Sequence, residues 1–247
     1  MKISIVTVCY NSEAVIEKTI KSVLGQTYRD TEYIIVDGAS KDKTMEVINR
    51  YRMENDITVI SEPDKGLYDA MNKGIKMAHG DYIIFMNSGD EFESADTLSK
   101  VVEMTGADAS WDIIFGDVRR DKREGTVTET CSDGRAALLK MFLTGRMMCH
   151  QSMLIRTDKM RKYGYDTSYS ITADYDMVVR MFSDKCSFRH VDLVISHVEG
   201  IEGISSRPDN LGAMQEQDDR SLRVNIPFFY YITIIPKRIY RKLKYRG

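Results

Sequence analysis

Apolar positions in the first third of the chain cluster in short segments: Lys2 to Val8, Tyr33 to Val36, Ile57 to Ile60 and Tyr82 to Met86. Runs of this length, rich in β-branched and aromatic residues and bounded by polar turns, read as strands buried on both faces of a parallel sheet. The stretches between them change period. Val15, Ile16, Ile20, Val23 and Leu24 recur at helical spacing, with Asn11-Ser12 as a cap and Gly25 as a stop. Ser40 or Asp42 caps a second helix carrying Met45, Ile48 and Tyr51, and a third, from Leu67 to Ala78, carries Ala70, Met71 and Ile75 and stops at Gly80. Strand and helix in alternation predict right-handed βαβ units and a mostly parallel sheet.

Beyond Asp90 the rhythm loosens. A helix capped by Ser94 runs through Met104, and Trp111 to Phe115 is a short strand. Val118 to Arg120 and Thr126 to Thr130 flank a charged turn and predict an antiparallel hairpin. A short helix over Ala136 to Leu143, a strand over Ser152 to Ile155 and a helix over Asp174 to Phe182 follow. The expected organisation is α/β, with a nucleotide-binding half over 1–90 and a mixed, acceptor-side half over 91–207 sharing one sheet, then a helical tail over 208–247. The tail is apolar and aromatic from Ile226 to Pro236, then carries Lys237, Arg238, Arg241, Lys242, Lys244 and Arg246 with no acid among them. Aromatic residues beside a basic cluster suit the headgroup region of an anionic membrane. The plainer alternative is a terminal helix packed on the domain with a solvated basic end.

Composition narrows the choice. With 247 residues and a formal net charge of -2, the chain can bury a large core and has no global basic field of the kind that points to nucleic acid. Cys9, Cys131, Cys149 and Cys186 are scattered, with neither a CxxC pair nor zinc-site spacing, and read as reduced thiols of a cytosolic protein. Met1 to Val6 fits a first strand better than a cleavable leader, and no stretch approaches the roughly 20 apolar residues of a membrane span.

Two of the predicted strands end in acidic turns, Asp37-Gly38-Ala39-Ser40 and Asn87-Ser88-Gly89-Asp90. Open α/β sheets bind ligands beyond the carboxyl ends of their strands, so these turns suit a ligand that brings its own cation, such as a metal-bound nucleotide diphosphate. Thr7, Tyr10 and Asn11 are expected at the end of the first strand, where Tyr10 offers a surface for a ring. Asp37 either accepts hydrogen bonds from base or ribose or shapes the turn before Gly38. Asp64 is similarly placed after the third strand. Asp69 and Asn72, three apart, share a helix face expected to turn toward the donor site.

Several segments together resemble the family 2 glycosyltransferases of the GT-A fold, of the kind that decorates bacterial surface polysaccharides. They are Ile5 to Asn11, Ile35 to Thr44, Ser61 to Gly74, Asn87 to Asp90 and Ala173 to Asp176. The resemblance covers roughly residues 3 to 207 and implies a Rossmann-like, mostly parallel central sheet with a smaller mixed half. It also implies inverting transfer of a sugar from a nucleoside-diphosphate donor, by default a UDP-sugar, to a glycan or lipid-linked hydroxyl at the inner membrane face. By the same resemblance Asp37 meets the nucleoside. Ser88-Gly89-Asp90 stands where the family often has Asp-x-Asp, which leaves Asp90 as the main carboxylate for a divalent metal, Mg or Mn. One carboxylate can suffice when phosphates and waters complete the shell. Asp174 becomes the base that deprotonates the acceptor, with Asp176 second in line. His197 joins the metal shell, Ser205, Ser206 and Arg207 lie near the diphosphate, and His150 either lines the acceptor side or is a structural histidine. A sugar-phosphate nucleotidyltransferase and a non-catalytic sugar-nucleotide binder are the rival readings.

Overall fold

The computed structural model describes residues 1–106, 110–122, 124–131, 134–144, 147–199 and 208–234. The basic run from Lys237 and the Ser205, Ser206 and Arg207 segment lie outside them. Four parallel strands come first: β1 Ile3–Cys9, β2 Thr31–Asp37, β3 Ile57–Ser61 and β4 Tyr82–Phe85. They sit side by side in the order β3-β2-β1-β4. The helices α1 Ile16–Leu24, α2 Thr44–Arg52 and α3 Leu67–Met77 connect them.

Successive strand residues point to opposite faces, and both faces are covered. Ile5, Ile35 and Ile84 pack with Ile16, Ile20, Val47 and Ile48 of α1 and α2. Val6, Val36 and Phe85 pack on the other side with Ala70, Met71 and Ile75 of α3. That double burial is why Tyr33 to Val36 and Tyr82 to Phe85 read as unbroken apolar runs; β1 is equally buried but includes Ser4 and Thr7. In register, Cys9 lies beside Asp37 and Asp37 beside Ser61, so the polar turns open along one edge.

The sheet then turns mixed. β8 Met153–Arg156 runs antiparallel to β4, and β6 Ile113–Lys122 antiparallel to β8. β9 Phe188–Glu199 is parallel to β6, and the short β5 Glu91–Phe92 closes on β9, while β7 Gly125–Glu129 forms the expected hairpin with β6. The separate strand expected from Trp111 and the first hairpin arm are one strand, β6, irregular between Phe115 and Val118. Gly116 sits in that irregularity, where an added β-carbon would lie 2.5 Å from the Leu193 carbonyl oxygen. The helices here are α4 Thr97–Thr105, α5 Gly134–Thr144, α6 Thr157–Tyr163, α7 Ala173–Ser183 and α8 Leu211–Asn225.

The expected caps differ. No side-chain cap bond starts α1; the Ser12 carbonyl accepts from Val15 and Ile16, and Gly25 ends the helix with right-handed φ. Asn11 instead bonds the neighbouring loop. At the carboxyl end, α8 buries Leu222, and a further helical segment, 227–234, packs Phe229 edge-on against Phe182 at 5.7 Å. Phe228, Tyr231 and Ile232 on that segment remain exposed.

Candidate active site

The tips of β1 and β2 are laced together. Asn11 N donates to Ser40 Oγ at 2.8 Å, and Asn11 Oδ1 accepts from Lys41 N at 2.9 Å. Ser12 N reaches Thr44 Oγ1 at 2.7 Å, and Lys43 N donates to Glu13 Oε2 at 2.8 Å. Asn11 and Ala39 both take left-handed backbone angles (φ 48° and 61°) to make this fit. Asn11 is well suited to that region, since its short amide bonds locally.

Asp37 lies beneath the lacing, fully buried. Its Oδ2 accepts from Ser40 N at 3.0 Å and Ser61 Oγ at 2.6 Å, and its Oδ1 from Ser40 Oγ at 2.5 Å. Of its two sequence readings, the turn-shaping one matches this geometry: the carboxylate orders both loops and is spent on doing so. Thr7 is also inside the sheet, with Oγ1 donating to the Met86 carbonyl at 2.8 Å and 3.0 Å from the Tyr33 hydroxyl. The open face of this end belongs to Tyr10, 57% exposed, and to Asp64. Asp64 Oδ1 is held by Gly66 N at 2.8 Å. Gly38 lies so close beneath that an added β-carbon would run into Asp64 Oδ2 and approach the Tyr10 ring. A side chain at this position would displace the Asp64 carboxylate from its place below Tyr10.

The face shared by Asp69 and Asn72 is engaged within the chain. Asn72 binds both the N–H and the carbonyl of Tyr165, and Asp69 holds Lys65 N at 3.0 Å. Helix α3 thereby clamps the loop leading to α7. Tyr68, one residue earlier, donates to the Ile171 carbonyl at 2.7 Å and lies 3.1 Å from Asp174 Oδ1.

The second cluster gathers at the tip of β4. Gly89 makes the turn with φ 98°, its N–H on Thr19 Oγ1 at 2.9 Å. Asp90 is 6% exposed. Gln151 Nε2 donates to its Oδ2 at 2.9 Å and Glu199 N to its Oδ1 at 3.3 Å. Burial pushes the Asp90 carboxyl up to about 6, against the pull of Gln151 and the nearby His150. Ser88 Oγ and Asn87 Oδ1 are buried and have no hydrogen-bond partner among the described residues. One turn thus carries a buried carboxylate and two unpartnered oxygens, hard donors of the kind that suit Mg²⁺ or Mn²⁺. Among the described residues no group of three or more His, Cys, Asp or Glu could hold a metal by itself, so phosphates and waters would have to complete the shell. His197 sits two residues from Glu199 on β9 with its Nε2 3.0 Å from Asp121 Oδ1.

The two candidate bases separate sharply. Asp176 is 2% exposed and fully engaged: Arg180 Nε at 2.6 Å, Ser221 Oγ at 2.7 Å and Asn225 Nδ2 at 3.3 Å. It ties α7 to α8. Asp174, in the first turn of α7, keeps 17% of its side chain exposed. Its Oδ1 accepts from Tyr175 N at 2.9 Å, and its Oδ2 lies 3.2 Å from His150 Nδ1. The 3₁₀ turn His150–Ser152 thus touches both carboxylates, His150 reaching Asp174 and Gln151 reaching Asp90. Sequence reasoning missed Gln151, Asn87 and Tyr68 as individuals. Asn87 and Tyr68 stood within noted segments and Gln151 between His150 and the strand from Ser152, but neither periodicity nor charge set them apart.

The family profile described as "Glycosyl transferase family 2" matches residues 4–170. A "PGL/p-HBAD biosynthesis glycosyltransferase" of Mycobacterium bovis is 30% identical over 207 residues, 82% of this chain and 78% of that protein. The chondroitin synthase of Escherichia coli is 26% identical over 194 residues, 78% of this chain but 28% of that much longer protein. Among solved structures, S. aureus TarS with UDP-GlcNAc superposes with a TM-score of 0.71 at 17% identity, covering 92% of this chain and 68% of TarS. A Pyrobaculum calidifontis mannosyltransferase with GDP-Man and Mn2+ gives a TM-score of 0.61 at 16% identity, covering 90% and 61%.

Proposed function

The chain belongs to glycosyl transferase family 2, and on that premise we propose that it moves a sugar, with inversion, from a nucleoside-diphosphate donor to a hydroxyl of a glycan or lipid-linked acceptor. The observation that carries the reading is the His150–Ser152 turn, which brings one open carboxylate, Asp174, to the neighbourhood of a buried one, Asp90, at the strand ends. In this reading Tyr10 covers the base and Asp64 accepts hydrogen bonds from the nucleoside. Asp37 contributes by holding the loops that present them. Asp90, with Ser88, would hold the divalent cation. Such a cation, when bound, neutralises charge on the leaving diphosphate. Asp174 takes the proton of the acceptor hydroxyl as its oxygen attacks the anomeric carbon from the side opposite the diphosphate.

UDP-sugars are the first choice of donor, supported by the TarS complexes with UDP and UDP-GlcNAc; the GDP-Man complex makes GDP-sugars the second. A panel of UDP-, GDP- and dTDP-sugars, read by nucleotide release, should give one donor with turnover well above the rest. Asp174→Asn should lower that turnover by about 10²–10⁴-fold while donor binding by calorimetry stays within about twofold. Wild-type turnover in Asp174→Asn would overturn the mechanism, and donor binding without turnover in the native chain would favour the non-catalytic reading.

The acceptor reading includes peripheral contact with a lipid surface from the cytoplasmic side. Phe228, Tyr231 and Ile232 are exposed at 73%, 68% and 57%, and the basic run from Lys237 to Arg246 follows directly in sequence. No helix among the described residues is long and apolar enough to cross a membrane. Flotation with anionic liposomes should be lost on replacing the three exposed residues by Ser; retained flotation would refute their role.

A further inference from the structure

His150 stands between the two carboxylates, and its own bonds define what it can do. Nδ1 lies 3.2 Å from Asp174 Oδ2, and Nε2 lies 3.1 Å from Asn87 Nδ2. An ionised carboxylate only accepts, so the ring carries a proton on Nδ1 and donates it to Asp174, while Nε2 is taken up by the Asn87 amide. With Nε2 covered by Asn87, the ring has no free basic atom to offer an acceptor hydroxyl. It is therefore not a second base.

We propose that His150 is a positioning residue for Asp174, an inference that rests on Asp174 being the base. The carboxylate has three neighbours that fix its rotamer. Tyr68 and Tyr175 N sit on Oδ1, and His150 alone among the described residues donates to Oδ2. Tyr175 N belongs to the helix itself and cannot choose the direction in which Oδ2 points. His150 can, because it is anchored from outside α7: Asn87 at the tip of β4 holds its far nitrogen, and Ser152 in the same turn donates to the Asp117 carbonyl at 3.0 Å. The bond thereby references the base to the strand whose tip carries Asp90. A base held about an ångström out of line forfeits much of its contribution, so the loss should appear in the chemical step rather than in donor binding.

The test uses the full chain with the donor and acceptor found by the panel. His150→Ala should lower kcat about 10–100-fold, with donor affinity by calorimetry and the donor KM within about twofold. His150→Asn, whose amide can donate from nearly the position of Nδ1, should recover most of the loss. In an Asp174→Asn background His150→Ala should cost nothing further, since residues that act as one unit are not additive. Thermal unfolding of each variant separates misfolding from misalignment. If His150→Ala keeps wild-type kcat, or if kcat, donor affinity and stability fall together with no rescue by Asn, the assignment is overturned. The underlying reading fails differently, by retained turnover in Asp174→Asn.

Discussion

The tips of β1 to β3 and the cluster around β4, β8 and α7 treat the same functional group in opposite ways. Asp37 is spent: three short hydrogen bonds from Ser40 and Ser61 consume its carboxylate, and nothing of it reaches solvent. Asp174 also has three neighbours, Tyr68, Tyr175 N and His150, but keeps 17% of its side chain open to a further partner. Close by, Ser88 Oγ and Asn87 Oδ1 are buried with no partner among the described residues, an expense that buried polar groups rarely carry without a reason. The lesson is that a strand-end acid is not a site by position alone. The satisfied end builds the platform, and the under-satisfied end is where chemistry has room to happen.

That contrast can be broken by experiment. The largest effect should come from setting two readouts against each other. Asp174→Asn should lose turnover by the factor given above and keep its unfolding free energy within about 1 kcal/mol. Asp37→Ala should lose about 1–3 kcal/mol of stability in urea unfolding, because three hydrogen bonds that join the β2 and β3 loops lose their buried acceptor. If Asp37→Ala proved stable but unable to bind donor, or Asp174→Asn proved grossly unstable, the division between platform and chemistry would be wrong.

A smaller effect sharpens the picture at Asp90. Burial raises its carboxyl from the ordinary 3.8 to about 6, so ionising it is harder in the folded chain than in the unfolded one. Its contribution to stability is therefore intact below about pH 4 and lost as pH rises through about 6. Asp90→Asn removes that cost, offset in part by a poorer bond to Gln151. Without divalent cation the variant should be more stable than wild type by about 1–2 kcal/mol at pH 8, with the gain vanishing near pH 4. Unfolding curves at several pH values check this, and a gain independent of pH would mean that burial is not what disfavours the charge.

The parallel half was legible for a physical reason. Strands covered on both faces carry few polar positions, and those of β1, Ser4 and Thr7, are small and uncharged, so β1, β2 and β4 announced themselves. β9 did not, because Arg189, His190, Asp192 and His197 interrupt its twelve residues, and its pairing with β6 crosses an irregularity. At the site, motif position separated Asp174 from the crowd, but the role of Asp37 depended on register. Only the alignment that puts Asp37 beside Ser61 supplies the donor that closes its carboxylate. Asp176 was similarly hidden, since its partners Ser221 and Asn225 arrive from a helix some forty-five residues later. Asn72 turned to Tyr165 for the same reason: its partner's position comes from tertiary packing, which spacing along one helix does not encode.

Helix α8 gives the molecule a practical boundary. Gln217 Oε1 receives Ile171 N at 3.1 Å and Thr172 N at 3.2 Å, and Ser221 and Asn225 hold Asp176, so α8 fastens the start of α7 from two directions. The family profile stops at residue 170, before any of this begins. A chimera spliced at that limit would separate the β1–β4 half, with His150, from the segment that carries and fastens Asp174. Exchange of acceptor preference between relatives should therefore move everything from the α6–α7 loop through Asn225 as a single cassette.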